Sequence, residues 1–554
     1  MTTRPDTSPG SWSCHRTGTL AAVATLLLFA ARPAAAAPPS AWPWQTAGAA
    51  SALAAPAPDD TIAVTASVPY LGTVGQGRGY VYLAPGHAGI TDPVVVVEGF
   101  DIDNAMGWNE LYALLNQQNL IEDLRARGYD AVVLDFADAT DYIQRNAFVF
   151  TELLTRVESQ IAPDQTVAVV GASMGGLVAR YGLAWLETQG VPHRVRAFLS
   201  YDAPQRGANL PLGLQYWVDF FAGQSTDAAY FRDRLNTPAA RQMLVYHFTN
   251  PPPPAGSTPT ADPLRAGLEA DLAAVGGYPT HLRRVAFSNG SGGGLDQGYA
   301  AAAQLISYNY ANLLVTIVGN VWAVPANVSG TVFDGRIKIL FGSDTKRTVT
   351  VSGALPYDSA PGGWRASLAQ LDTTQAPYGD IVALHPAHCF IPTVSALDLP
   401  TSNLFFDVAG TPDAVSLTPF HAIYWAPTNE EHVHISAQEA QWVIDELDHP
   451  TVSIAGAPAT GRVAFLSAAP NPAVGEARLT FSATGDGRCD VRVYALGGRV
   501  VRALAAGSGA GTHTVVWDGR DDRGAAVPAG LYFVRIEQGA QAAVGRVVRM
   551  AGSR

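Results

Sequence analysis

Cysteine is scarce in this chain: three residues in 554, Cys14, Cys389 and Cys489. The first lies in an N-terminal segment expected to be removed, and the other two fall in stretches of different pattern, so a disulfide-framed scaffold is excluded. No CxxC pair and no close histidine spacing suits a structural metal. Charge is also sparse, at 15% of residues with a net of -12 and no Lys/Arg cluster. That balance excludes nucleic acid, whose phosphates are held by basic patches. Apolar runs long enough to span a bilayer, about 20 residues, are missing as well. The run Leu20 to Ala31 stops at Arg32. It follows Arg4 and Arg16 and precedes "ARPAAAAPP", which reads as a secretory signal cut near Ala37 and predicts a secreted or cell-surface protein. "LLVTIVGNVWAV" (313–324) is short and interrupted by asparagine, a lid or core segment.

What is present is length and apolar content. A chain of 554 residues, 48% hydrophobic, exceeds what one core accommodates, so at least two domains are expected. Residues 1–37 form the signal and 38–59 an Ala/Pro-rich linker. From 60 to 450, β-branched runs ("GYVYLAP", "PVVVVEGF", "YDAVVLDF", "TVAVVGAS", "VRAFLSYDAP", "RRVAFSNGS") alternate with helical patterns, among them 108–127 and 146–160. Continuous apolar strands covered by helices imply an α/β layered domain with a mostly parallel sheet. Insertions are expected at about 205–280 and 300–418. The first carries "LGLQYWVDFFA", a lid over an apolar acyl chain or a core helix. "FHAIYWAP" and a helix opened by the capping pair Ser436 and Glu439 close the domain. Across 455–554 the pattern changes to short alternating strands with turn residues, an antiparallel sandwich.

The chemistry centres on "VVGASMGGLVAR", Val169 to Arg180. A Gly-x-Ser-x-Gly turn carries meaning only between a buried strand and a helix, and both flanks are present here. Gly171 and Gly175 let strand and helix close around Ser173 in a strained turn that projects its hydroxyl. The hydroxyl needs a base later in the chain. His432 in "TNEEHVHIS" is chosen, with His434 competing. The orienting acid is Asp202, which ends a strand, or Asp296, in the glycine-rich loop after the next one. Asp202 is favoured because a strand end holds a carboxylate more rigidly. Its alternative role is an Asx-turn. Backbone amides of Met174 and Phe100 are the candidate oxyanion donors.

These residues resemble the nucleophile elbow of bacterial lipases and esterases of the α/β-hydrolase superfamily. "YDAPQRGAN" is similar to their Thr-Pro-His-x-Gly segment, with Gln205 for the histidine, and "VEGFD" to their His-Gly oxyanion segment, with Glu98 for the histidine. The resemblance covers roughly 60–450 and implies an α/β-hydrolase fold, with mostly parallel sheet and large insertions. The C-terminal "PNP", "GRVV", "WDGRDDRG" and "GLYFVR" landmarks resemble the flagellar hook-cap type Ig-like domain and the type IX secretion sorting domain, implying export or surface attachment. Asp518, Asp521 and Asp522 there read as a turn rather than a calcium loop. The expectation is a serine hydrolase acting on a small-molecule or lipid ester, with no metal or cofactor. A peptidase or amidase on the same triad, or a non-catalytic surface adhesin on a hydrolase fold, are the alternatives.

Overall fold

The structure is a computed structural model. It describes residues 55–448 and 463–550, apart from 103, 105, 251–256, 373–378, 470–472, 484–486, 496–498, 510 and 540. The signal, most of the linker, the tetraproline, the "PNP" landmark and the boundary near 455 lie outside the described residues.

Eight strands form the main sheet: β1 Asp60–Thr65, β2 Gln76–Tyr82, β3 Val94–Val97, β4 Ala131–Phe136, β5 Val167–Ala172, β6 Val195–Tyr201, β7 Arg283–Ser291 and β8 Ala422–Ala426. Their spatial order is β1-β2-β4-β3-β5-β6-β7-β8. β1 and β2 pair antiparallel, β2 meets β4 antiparallel, and from β4 to β8 every pairing is parallel. This is the α/β-hydrolase fold. The uninterrupted valines of β3 are all buried because both faces of the sheet are covered. One face packs on segments 108–126 and helix Ala437–Asp448. Val149 and Leu153 of helix Ile143–Glu158 fill the space beside Gly77 and Gly79 on the other.

The single helix expected at 108–127 is two, Trp108–Leu115 and Leu120–Ala126, broken where Gln118 and Asn119 take φ values of 53° and 64°. Asn116 Oδ1 accepts the N–H groups of Ile121 and Glu122, so a side chain caps the second helix where the backbone breaks.

The first insertion carries helices Leu212–Phe221, Thr226–Leu235, Pro238–Met243 and Pro263–Ala274. The aromatic helix is not an exposed lid. Tyr216, Trp217 and Phe221 are buried, with Trp217 and Phe221 against Gly319. They cover a second, antiparallel sheet built by the next insertion, in the order Asp344–Val351, Gly330–Ile339, Val315–Trp322, Gln304–Ser307, Val382–Ala383, with Asn309–Ala311 also on Val315–Trp322. The "LLVTIVGNVWAV" segment supplies its central strand. A separate pair, Gly362–Arg365 and His388–Pro392, follows.

The C-terminal part is a two-sheet antiparallel sandwich. Ala464–Ala469, Ala477–Ala483 and Gly511–Trp517 make one sheet; Val500–Ser508, Arg488–Ala495, Gly530–Gln538 and Gln541–Arg549 make the other. Trp517, Phe481, Val493 and Val534 fill its core. Asp518 accepts the Arg520 N–H and Asp521 those of Arg523 and Ala525, the work of turn residues, while Asp522 accepts the Ala503 N–H of a neighbouring strand. Cys389 and Cys489 are both free and buried.

Candidate active site

Strand β5 runs into helix Met174–Thr188 with Ser173 alone between them, at φ 53° and ψ -126°. A side chain held at such φ/ψ costs of order 1–3 kcal/mol and persists only where the surroundings over-determine it. Here the Ser173 N–H donates to Tyr201 O at 2.9 Å and the Gly176 N–H to Ser173 O at 3.0 Å. Sterics complete the constraint. A Cβ on Gly175 would stand 2.2 Å from Val97 O, one on Gly171 2.6 Å from Gly175 O, and one on Gly176 2.3 Å from the Ala203 Cβ. Only hydrogen fits at all three.

Ser173 Oγ lies 2.7 Å from His432 Nε2, and His432 Nδ1 lies 2.6 Å from Asp202 Oδ2. The three groups come from the ends of β5 and β6 and the loop after β8. Asp202 and His432 are fully buried, while Ser173 keeps partial exposure. Asp202 Oδ1 accepts the Asn289 N–H at 3.1 Å, and its own N–H donates to Phe287 O at 2.9 Å. Below it, Tyr201 stacks on Phe287 with centroids 4.3 Å apart, and Phe287 on Tyr424 at 5.2 Å, a ladder of register partners across β6, β7 and β8. The carboxylate is thus bonded to the base and to β7 rather than spent on an Asx-turn.

Asp296 is not brought to the histidine. It is exposed, its Oδ1 accepts the Gly298 N–H at 2.8 Å, and its glycine-rich loop turns it outward. His434 is also exposed; its carbonyl accepts Tyr201 Oη–H and Asn289 Nδ2, so it anchors the loop through backbone. Met174 is the first helical residue, so its N–H has no partner within the helix. The loop of Phe100 closes on the serine through Gly99, where a Cβ would meet Ser173 Cβ at 3.2 Å and Oγ at 3.7 Å. Glu98 is buried with Oε2 accepting the Phe136 N–H at 2.7 Å and Oε1 unpartnered. Burial, then the Asp135 charge, raises its carboxyl well above the usual range.

The sequence reading missed the strand Gly362–Arg365. The His432 N–H donates to Trp364 O and the Trp364 N–H to Glu430 O, each at 2.9 Å. Gly363 leaves room for the acid: a Cβ there would fall 2.3 Å from Asp202 Oδ2. Arg365 is buried, 3.5 Å from Glu431, with burial pulling its guanidinium down to about 10. The Phe390 ring meets His432 edge-on at 5.0 Å. Asn429 fixes the loop from below, accepting Ser291 and Gly362 N–H groups at Oδ1 and donating from Nδ2 to Leu295 O and Asp296 O. The double glycine before Trp364 was the only local sign of a close backbone approach.

Burial lowers the pKa of His432 more than its bond to Asp202 raises it, and the Arg365 charge lowers it further. The imidazole is therefore neutral near pH 7, free to take a proton at Nε2. A buried carboxyl secures the end of the same loop. Glu439 Oε2 accepts the Ser436 N–H at 2.6 Å, and burial, with the Glu430 carboxylate nearby, raises the Glu439 carboxyl to about 8.

A model of the FlgD Ig-like domain family matches residues 469–541. No curated protein matches the chain. Solved structures similar to it include esterases and other hydrolases. Est1E from Butyrivibrio proteoclasticus is 12% identical over 26% of this chain and 51% of its own, with a TM-score of 0.20. XC6422 from Xanthomonas campestris, described as an α/β serine hydrolase without lid, is 20% identical over 27% and 63%, at 0.20. A hyperthermophilic esterase from the archaeon Pyrobaculum calidifontis is 17% identical over 41% and 75%, at 0.22. The chain thus spans less than two thirds of the first two. The strand order assigns the fold and the side chains around Ser173 carry the chemistry, with these likenesses standing beside both.

Proposed function

We propose that the chain is a serine hydrolase that cleaves carboxylic esters through an acyl-enzyme. The observation that carries the reading is the continuous hydrogen-bonded line Ser173 Oγ, His432 Nε2, His432 Nδ1, Asp202 Oδ2. Ser173 Oγ attacks the acyl carbon as its proton passes to His432 Nε2. Asp202 holds the Nδ1–H tautomer and stabilises the imidazolium. The tetrahedral oxyanion is received by the Met174 and Phe100 amides. Collapse expels the alcohol, which takes its proton from His432, and water repeats the sequence on the acyl-enzyme to release the acid. The expected N-terminal signal and the Ig-like domain support an exported enzyme held at or near the cell surface.

Labelling with a fluorophosphonate probe tests the reading, beside Ser173→Ala and His432→Ala. Labelled wild type, unlabelled variants and turnover on a chain-length series of p-nitrophenyl esters are expected. A folded wild type that neither labels nor turns over any ester overturns the reading and makes binding the leading account.

A further inference from the structure

The second insertion presents apolar side chains to water at one end of its sheet. Two turns meet there, at 312–314 and 340–343. Leu313 is 86% exposed, Leu314 58%, Leu340 38% and Phe341 99%. The Leu340 N–H donates to Leu314 O at 2.7 Å, so the four residues form one patch. Both turns are ordered. Asn312 Oδ1 accepts the N–H groups of Leu314 and Val315, while the Gly342 N–H donates to Ile339 O and the Ile339 N–H to Ser343 O. Phe341 takes φ 63°, a conformation that suits Gly or Asn and is a genuine outlier for a bulky residue. Solvation and backbone preference both oppose a phenylalanine at this position, and a contiguous exposed apolar patch marks an interaction site.

The charges around the tip say which partner. The chain is strongly acidic, yet both of its lysines, Lys338 and Lys346, flank this patch. The hairpin of Gly330–Ile339 and Asp344–Val351 carries Arg336, Lys338, Lys346 and Arg347 against Asp334 and Asp344. Arg347 turns inward to Asp219 at 2.5 Å and over the Tyr216 ring. Arg336 pairs with Asp344 at 2.9 Å. That leaves Lys338 exposed and Lys346 with a side chain 59% exposed, 3.8 Å from Asp344. An apolar tip flanked by two exposed lysines matches an anionic lipid surface: rings and aliphatic groups enter the acyl boundary while ammonium groups meet the headgroups. Among the described residues no helix is long and apolar enough to cross a membrane.

We propose that the paired turns 312–314 and 340–343 dock this protein on anionic lipid surfaces, with Leu313, Leu314, Leu340 and Phe341 inserted and Lys338 and Lys346 on the headgroups. The proposal stands apart from the esterase reading, because docking needs no turnover. The test is therefore sedimentation of the full chain carrying Ser173→Ala with phosphatidylcholine vesicles, with and without phosphatidylglycerol.

Binding to the anionic vesicles that weakens with salt is expected. The pair Leu313→Asp and Phe341→Asp lowers partitioning on the order of 100-fold, since two large side chains lose their burial in lipid. Each of Lys338→Gln and Lys346→Gln lowers it about 5-fold on anionic vesicles only. Melting curves of these surface variants match the parent and exclude misfolding. Equal vesicle binding by parent and Asp variants overturns the proposal. So does lipid-independent self-association of the parent that the Asp variants abolish, which assigns the patch to a second copy of the chain.

Discussion

Gly363→Ala puts the geometry of the triad to a strict test, because the residue takes no part in the chemistry. The new Cβ would lie 2.3 Å from Asp202 Oδ2, 3.2 Å from its Cγ and 3.3 Å from Asn289 Cβ, where ordinary contacts begin at 3.4 Å. In a close-packed interior the carboxylate must withdraw by about 1 Å. That motion breaks its 2.6 Å bond to His432 Nδ1. If strand Gly362–Arg365 gives way instead, Trp364 O moves with it and the His432 N–H loses its acceptor. Either response displaces the base. A misplacement of this size lowers rate about 100-fold, and complete loss of the orienting acid about 10,000-fold, so kcat falls between those limits. KM stays near the parent value, since nothing that meets substrate is altered. The assay is kcat and KM on a p-nitrophenyl ester beside the melting temperature, with Gly223→Ala, where a Cβ meets nothing within 4 Å, as the silent control. Asp202→Asn sets the floor. Unchanged kcat in a Gly363→Ala protein that melts normally would refute the clamp.

Other outcomes follow from the same geometry. Burial lowers the pKa of His432, so kcat/KM is flat near neutrality and falls only as pH drops through a midpoint below 6.5; a pH–rate profile with its midpoint above 6.5 contradicts the assignment. The raised carboxyl of Glu439 keeps its proton in the native state where the unfolded chain has lost it. Native stability therefore declines as pH rises beyond the ordinary carboxylate range, by up to about 1.4 kcal/mol per pH unit. Glu439→Gln still accepts the Ser436 N–H and has no proton to lose, so it raises the melting temperature at alkaline pH, and a lower value there would count against the raised carboxyl. Gly175→Ala drives a methyl group into Val97 O at 2.2 Å and unfolds the domain or destabilises it by more than about 4 kcal/mol; a soluble variant with parent-like melting removes the steric account of the elbow.

The elbow was legible because everything that makes it is local: an apolar strand, glycines two residues either side of Ser173, and a helix. The candidate base, His432, was legible from chain order and its loop. The candidate acid was legible only as a preference for Asp202 over Asp296, because each follows a strand, and what separates them is supplied from far away. Asn289 and Gly363 converge on Asp202, whereas Asp296 meets its own turn. The aromatic helix Leu212–Phe221 showed its apolar character but not its cover, since the strands that bury it begin near residue 304 and run to 351. The break at Gln118 and Asn119 was hidden for a different reason. Asn116, just before it, caps the second helix through its side chain, a choice that helix periodicity does not record.

The second insertion takes part in the candidate site itself. An inserted lid can be removed while the reacting groups keep their places. Here the insertion supplies Gly362–Arg365, whose backbone accepts the His432 N–H and whose glycine faces Asp202, and Phe390, whose ring packs on His432. Asp202 and His432, the candidate acid and base, are thus held between the main sheet and a strand added to it. The same insertion extends through the antiparallel sheet to the exposed tip at Leu313 and Phe341. One added segment therefore completes the candidate site at one point and presents the apolar surface at another. A change to the insertion that leaves Gly362–Arg365 and Phe390 in place leaves the triad its support, and one that removes them takes that support from a serine whose elbow is still intact.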